Sequence, residues 1–368
     1  MKKSNLKWLL KVALLSVLTA AIAAATVSAS ENLTVHFLDV GQGDSELVQF
    51  NGKNVLIDAG TQDMGPRVES YLKGHGVSSL DLLVATHPHE DHIGGLLDIL
   101  NDFGVKQVLD SGQTHTSQTF ENYLNLIDRK NIPFETAERG QTINLDPAIK
   151  IEVLSPPIPL FPDDLNQNSI VLKITYNKVS FLLMGDAGIE AEKSLLSSGS
   201  NLDSDILKVG HHGSSSASSS SFLAKVKPAI SIIEVGAGND YGHPTKKTLK
   251  ALQSTGSKVY RTDLNGNIAV TTDGQKYTIT TEKQSWNTAS TVSKDTSSAT
   301  TWTTGTASST TAAASSNGPF VGSAKSDKYH YPSCSAVKKI KSANLVTFSS
   351  SADARAQGYV PCGICHPQ

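Results

Sequence analysis

From Leu33 to about Glu282 the chain alternates short apolar runs with amphipathic stretches. LTVHFLDV, SELVQF and KNVLIDAG are separated by Gly- and Asn-containing turns, which predicts three consecutive strands. DLLVATH is an unbroken apolar run and predicts a buried strand ending on His87. VKQVLDSG, IKIEVLSPP, SIVLKITY, VSFLLMGDAG, SDILKVGHH, PAISIIEVG, KVYRTDLNG and NIAVTTDG extend the strand series. Helices are predicted over 66–75, from DHIGGLLDIL, and over FENYLNLIDRKN, where apolar residues at 120, 124 and 127 share a face. Three more are predicted near 189–197, 218–225 and 245–255. Many strands with interspersed helices predict a layered α/β protein with its helices outside the sheets.

The pattern stops at both ends. Residues 283–317 are dominated by Ser, Thr and Ala without apolar periodicity, the composition of a flexible linker. Order signals return over 318–368, a segment with six Lys and Arg against two Asp, a net charge of +4, and all three cysteines. At the start, Lys2, Lys3 and Lys7 precede the uncharged apolar run 12–25, and Val27-Ser28-Ala29 supplies a small-residue cleavage pattern. Residues 1–29 therefore read as an export signal, the apolar run being shorter than the roughly 20 residues a spanning helix needs. The expected organisation is a signal peptide over 1–29, a hydrolase domain over 31–282, the linker, and a small module over 318–368. A secreted protein without stable membrane insertion after cleavage follows. The overall charge of −2 in 368 residues excludes a global nucleic-acid signature, so such a partner would be met by a local patch. The sequence identifies no protein partner.

The candidate chemistry sits at strand ends. His87, His89, Asp91 and His92 form H-x-H-x-D-H, four ligand-type residues in six positions after a buried strand. His87 and His89 project to one side of an extended turn and suit one ion; Asp91 and His92 suit a second. Asp186, at the end of VSFLLMGDAG, is the candidate bridging carboxylate, since a carboxylate there without a partner is costly. SDILKVGHHGS adds His211 and His212, read as one ligand and one hydrogen-bonding neighbour, with His211 the candidate ligand and His212 a candidate catalytic group. His243, in YGHP, is a candidate to touch phosphate or to protonate a leaving oxygen. Zinc or manganese fits this donor set. Two such ions lower the pKa of a shared water and stabilise charge on a phosphoryl oxygen, with Asp91 as ligand and orienter.

The series HFLDVGQGDS, VLIDAG, THPHEDHIGG, NQNSIVL, LLMGDAG, ILKVGHHGS, YGHP and VYRTDLNGNIAVTTDG resembles the extracytoplasmic hydrolase domain of the ComEC DNA-uptake family, within the metallo-β-lactamase superfamily. The resemblance covers roughly residues 31–280 and implies an αββα sandwich with its metals at one edge. The membrane channel of that family has no counterpart here, so uptake is not carried over. Many relatives place a further histidine before the bridging aspartate, whereas residues 116–185 contain none. His115, read as a surface residue, and Asn168, facing metal or substrate, are the candidate substitutes, which leaves the first metal site the more open. Asp39, Gln42, Gly43 and Asp44 read as support for the rim, with Gln42 or Asp44 as a possible substrate contact.

His330, Cys334, Cys362 and Cys365 read H-x₃-C…C-x₂-C, a donor set for one structural zinc that would staple a module with little core. A disulfide with a spare thiol is the alternative. YHYPSC together with GYVPCGIC resembles the zinc-binding domain of the Ada DNA-repair family. That family's methyl-accepting first ligand is a cysteine; His330 occupies the position here, so methyl transfer is not implied, while zinc and contact with DNA are. Lys338, Lys339, Lys341 and Arg355 are the candidate phosphate contacts. The function expected is a secreted metal-dependent phosphodiesterase acting on DNA. The alternatives are a phosphodiesterase of cell-wall or lipid head-group esters and a non-catalytic DNA-binding protein.

Overall fold

The computed structural model describes residues 32–283 apart from 163, then 292–293, then 320–362 apart from 327, 333, 335 and 349. The signal-peptide reading, most of the linker and Cys365 fall outside these residues. Among the described residues no helix is long and apolar enough to cross a membrane.

Two sheets face each other. The first has nine strands in the order Val292–Ser293, Lys276–Thr281, Ile268–Thr272, Leu33–Phe37, Glu46–Phe50, Lys53–Ile57, Leu82–Ala85, Val108–Asp110 and Phe134–Thr136. The second has seven, in the order Lys258–Arg261, Ile230–Ile233, Ile206–Lys208, Val179–Leu183, Val171–Tyr176, Ile149–Ser155 and Thr142–Ile143. Alternation divides each strand between two layers. Leu33, Val35 and Phe37 join Ile151, Val153, Ile174, Phe181 and Ile206 in a core between the sheets. Leu47, Leu56, Leu83 and Ala85 point the other way, onto helices Gly65–Gly74, Leu96–Asp102 and Gln118–Arg129. Leu182, Leu207 and Val209 meet helices Ile189–Ser197, Ser220–Val226 and Lys246–Ser254 on the far side. The result is the helix–sheet–sheet–helix sandwich expected, each fully buried aliphatic side chain contributing about 1.5–3 kcal/mol.

Two of the expected elements take a different form. DHIGGLLDIL forms two helical pieces, Glu90–Ile93 and Leu96–Asp102. Gly94 and Gly95 lie against the backbone of residues 59–62, where an added Cβ would come within 2.4 Å of Gln62 N and 2.2 Å of Ala59 O. TDLN in KVYRTDLNG forms a helical turn, Thr262–Asn265, after the strand Lys258–Arg261, with Asn265 Oδ1 accepting from Arg261 N at 2.9 Å.

The C-terminal segment forms its own sheet, ordered Leu345–Phe348, Phe320–Ser323, Lys328–His330, Val360–Pro361, around a small core of Phe320, Tyr329, Phe348, Ala354 and Tyr359. It touches the larger domain. Arg261 Nη1 donates to Arg355 O at 2.8 Å, Lys246 Nζ donates to Ser326 O at 2.7 Å, and the same ammonium stands 3.8 Å from the centre of the Tyr359 ring.

Candidate metal centre

Parallel pairing brings the chemistry to one edge. Strand Lys53–Ile57 runs parallel to Leu82–Ala85, and Val179–Leu183 runs parallel to Ile206–Lys208. Their C-terminal ends deliver Asp58, His87, Asp186 and His211–His212 to facing rims of the two sheets. The HHG turn is unusual in its backbone. His211 and His212 each have φ of 51°, and Gly213 has φ of 79°. Two non-glycine residues in this region cost roughly 1–2 kcal/mol each. The fold retains them because the turn aims both imidazoles at Asp186.

Asp186 is the hub, 2% exposed. Its Oδ1 lies 3.5 Å from His92 Nε2 and 3.4 Å from His212 Nε2. Its Oδ2 lies 3.8 Å from His87 Nε2 and 3.8 Å from His211 Nε2. Asp91 Oδ2 closes the first of these groups, 3.5 Å from His212 Nε2 and 4.0 Å from His92 Nε2. His89 Nδ1 joins the second, 3.0 Å from His87 Nε2, a spacing that lets both nitrogens bind one ion. His92 Nε2, His212 Nε2 and Asp186 Oδ1 are buried atoms without a hydrogen-bond partner. Such atoms are expensive unless a cation joins them, and their donor chemistry suits zinc or manganese. Electrostatics agrees. Burial pushes His212 down, but Asp186 and Asp44 reverse this and hold it up at about 10. Burial likewise opposes ionisation of Asp91, yet His92 and His212 hold its carboxyl below the ordinary range. The pocket favours positive charge.

A second layer fixes the imidazoles. His92 Nδ1 is 2.7 Å from Asp58 Oδ2, and Asp58 also accepts from Thr86 N at 2.8 Å. His212 Nδ1 is 3.0 Å from Glu234 O and 3.2 Å from Asp44 Oδ1. Both Nδ1 atoms therefore carry the proton and leave Nε2 to face the centre. Fully buried Lys208 donates to Asp44 and, at 3.2 Å, to Gly185 O. Glu46 and Glu234 lie in the same buried layer. Burial, then Asp44, raises Glu46 to about 8, and burial, then Glu46, raises Glu234 well above its usual range. Lys208 is the countercharge shared by these acids. Asp58, Lys208 and Glu234 were absent from the sequence-based candidates. The signal for Lys208 is a lysine inside the apolar run DILKVG.

Several expectations need correction. Asn168 faces neither metal nor substrate: it is 2% exposed, Oδ1 accepts from Phe161 N at 2.8 Å, and Nδ2 donates to Phe161 O, Asp164 O and Gln113 Oε1. It is a loop brace. His212 is not a mere neighbour of His211 and is too enclosed to protonate a leaving group, being 2% exposed with Nε2 in the ligand cluster. His211, 26% exposed at its side chain, lies at the more open pole, with Asn166 Nδ2 3.3 Å from Nε2. His115 is half-buried, its Nδ1 2.9 Å from Ser117 Oγ and its ring 6.0 Å from that of His89. Asp44, wholly buried, is out of reach of substrate, and Gln42 Oε1 accepts from Gly236 N at 3.3 Å. His243 stands at the rim, its ring 5.7 Å from that of His211; burial, then His211, holds its pKa down at about 4. Asn239 braces this loop through His243 N and His243 O.

In the C-terminal module, His330, Cys334 and Cys362 bring buried donor atoms within 4.8 Å of one another. Parallel pairing of Lys328–His330 with Val360–Pro361 sets this up, through Cys362 N donating to Tyr329 O at 2.9 Å. Cys334 is a free thiol, and His330 Nδ1 is buried without a partner, which fits zinc rather than a disulfide between Cys334 and Cys362. Lys338 and Lys339 are exposed on the 3-10 turn Val337–Lys339.

Comparison with known proteins agrees with this geometry. The family model for the metal-binding domain of Ada matches residues 306–368. "ComE operon protein 3" of Bacillus subtilis is 32% identical over 252 residues, 64% of this chain and 32% of that protein. "Competence protein ComA" of Neisseria gonorrhoeae is 30% identical over 236 residues, 62% of this chain and 30% of that one. "Recombination protein 2" of Haemophilus influenzae is 29% identical over 241 residues, 64% and 28% of the two chains. The chain thus spans about a third of the length of these curated relatives. The family model of the metallo-beta-lactamase superfamily matches residues 38–235, more than half of the chain, and the protein belongs to that superfamily.

Proposed function

We propose that this metallo-hydrolase is an exported phosphodiesterase whose substrate is DNA. The observation that carries the reading is the two-sided carboxylate of Asp186, one oxygen turned to His92 and His212 and the other to His87 and His211. His87, His89 and His211 would hold one divalent ion, Asp91, His92 and His212 the other, with Asp186 shared. Such a pair supplies Lewis-acid polarisation of a phosphoryl oxygen and acidification of a water. The protein's own contribution is positioning. Asp58 and Asp44 fix the imidazole tautomers, Asp91 presents an oxygen at the half-open face, and His243 offers a ring nitrogen at the rim. The DNA part of the reading is supported by the names of relatives, a competence protein and a recombination protein, and by the Ada match of the basic C-terminal module. That module would hold one structural zinc, with Lys338, Lys339, Lys341 and Arg355 available to phosphates.

The test is cleavage of single- and double-stranded DNA by the purified protein with and without manganese, beside an Asp186→Ala control. Cleavage falls by more than about 100-fold in the variant, beyond the loss typical of removing an outer partner of a ligand. Intact DNA alongside hydrolysis of a cell-wall or lipid head-group phosphodiester would replace the proposal with that activity. Retention of DNA without any turnover would reduce the protein to a binder.

A further inference from the structure

The C-terminal module meets the larger domain beside the metal centre. Between them lies a cleft of about 390 Å³, lined on one side by residues 236–239 with Gly242 and His243, and on the other by Arg355, Tyr359 and Val360. That volume falls in the range of small-ligand sites, roughly 300–1,000 Å³, and accommodates about one nucleotide. His243 belongs to both places, lining the cleft while its ring stands 5.7 Å from that of His211. The loop wall is glycine-rich. At Gly238 and Gly242, with φ of 69° and 68°, an added Cβ would have nothing within 4 Å, so a ligand can approach the backbone closely. The Arg261 guanidinium is matched by Asp263, at 2.9 and 2.5 Å, and Arg355 brings a further cation from the module side, exposed and held through Nε on Tyr329 Oη at 3.1 Å. Tyr359 closes the floor of the cleft, 8% exposed, with the Lys246 ammonium over its ring. A net positive, glycine-walled lining is chemistry for the phosphodiester of a polynucleotide backbone.

We propose that this cleft binds the nucleotide next to the scissile phosphate, so that the C-terminal module is a wall of the active site. The inference rests on the polynucleotide reading above and adds where the strand runs. Long substrates use the cleft; a small diester that fills only the metal centre does not.

The test uses the full chain with Ala237→Trp and Val360→Trp, which fill the cleft from opposite walls. Ala237 and Val360 are exposed, Val360 by 40%, so neither change disturbs a core. Turnover is measured on bis(p-nitrophenyl) phosphate and on a single-stranded oligonucleotide longer than the roughly 4–16 nucleotides one small module covers. In both variants KM for the oligonucleotide rises by about tenfold or more, while kcat/KM for the small diester stays within about twofold. An unchanged oligonucleotide KM overturns the inference, as does an equal loss on both substrates. A wild-type protein that hydrolyses the small diester and leaves DNA and RNA intact removes the polynucleotide reading and the inference with it. Wild-type cleavage with unaffected variants removes the inference alone.

Discussion

A histidine buried against carboxylates and a histidine buried without them behave oppositely, and this chain contains both. His212 is drawn upward by Asp186 and Asp44, whereas His36, 5% exposed, has its Nδ1 3.0 Å from Tyr71 Oη and no partner at Nε2. Burial, then His75, lowers His36 to about 4 from 6.5, against a small opposing effect of Gln49. As pH falls below about 6.5 the unfolded chain takes up this proton first, so stability declines down to about pH 4 and then levels off. At about 1.4 kcal/mol per unit the effect is on the order of 3 kcal/mol. In urea unfolding of the metal-free protein, wild type should lose stability relative to His36→Gln across that window; a difference that does not vary with pH contradicts the assignment. The alternation of LTVHF already placed His36 on the face away from Val35 and Phe37. Its covering by Tyr71, 35 residues away, was not legible, because a side chain's neighbours are set by tertiary packing. Asp58 and Lys208 escaped for the same reason: their partners His92 and Asp44 lie 34 and 164 residues away.

Among elements, strands were the most legible and turns the least. The apolar runs ending on His87, Asp186 and His211 are the strands expected, since period and length alone identify them. The Gly94–Gly95 break and the left-handed HHG turn depend on what the backbone meets, which composition does not encode. Gly213 shows the dependence. An added Cβ there would come within 2.6 Å of Pro244 Cβ and 3.1 Å of its Cα, at a φ of 79°. Gly213→Ala should therefore lower stability by about 1–3 kcal/mol and weaken binding of the ion shared by His92 and His212. Calorimetric titration with manganese checks this; two unaltered binding events would show that the turn tolerates the strain.

For the whole molecule, the division into a catalytic sandwich and a small cysteine-bearing module was readable from composition and donor spacing. The contact between them was not, because it is made by Arg261, Lys246 and Tyr359, residues with no shared pattern in the sequence. Among the described residues the module's core cluster is five buried side chains, so its metal should matter to its folding. Cys362→Ala is expected to lower zinc by about one equivalent per chain and to open residues 320–362 to limited proteolysis while 32–283 stays intact. Retained zinc, or a module that still resists proteolysis, contradicts the structural role. The two poles around Asp186 each combine buried and exposed ligands. His87, His92 and His212 are buried, whereas Asp91 at one pole and His89 and His211 at the other are partly open to solvent. Each pole therefore reaches solvent through at least one of its ligands, so an ion at either can exchange with the medium without the sandwich opening. The metal content of a given molecule then follows the medium it is in rather than the one in which it folded.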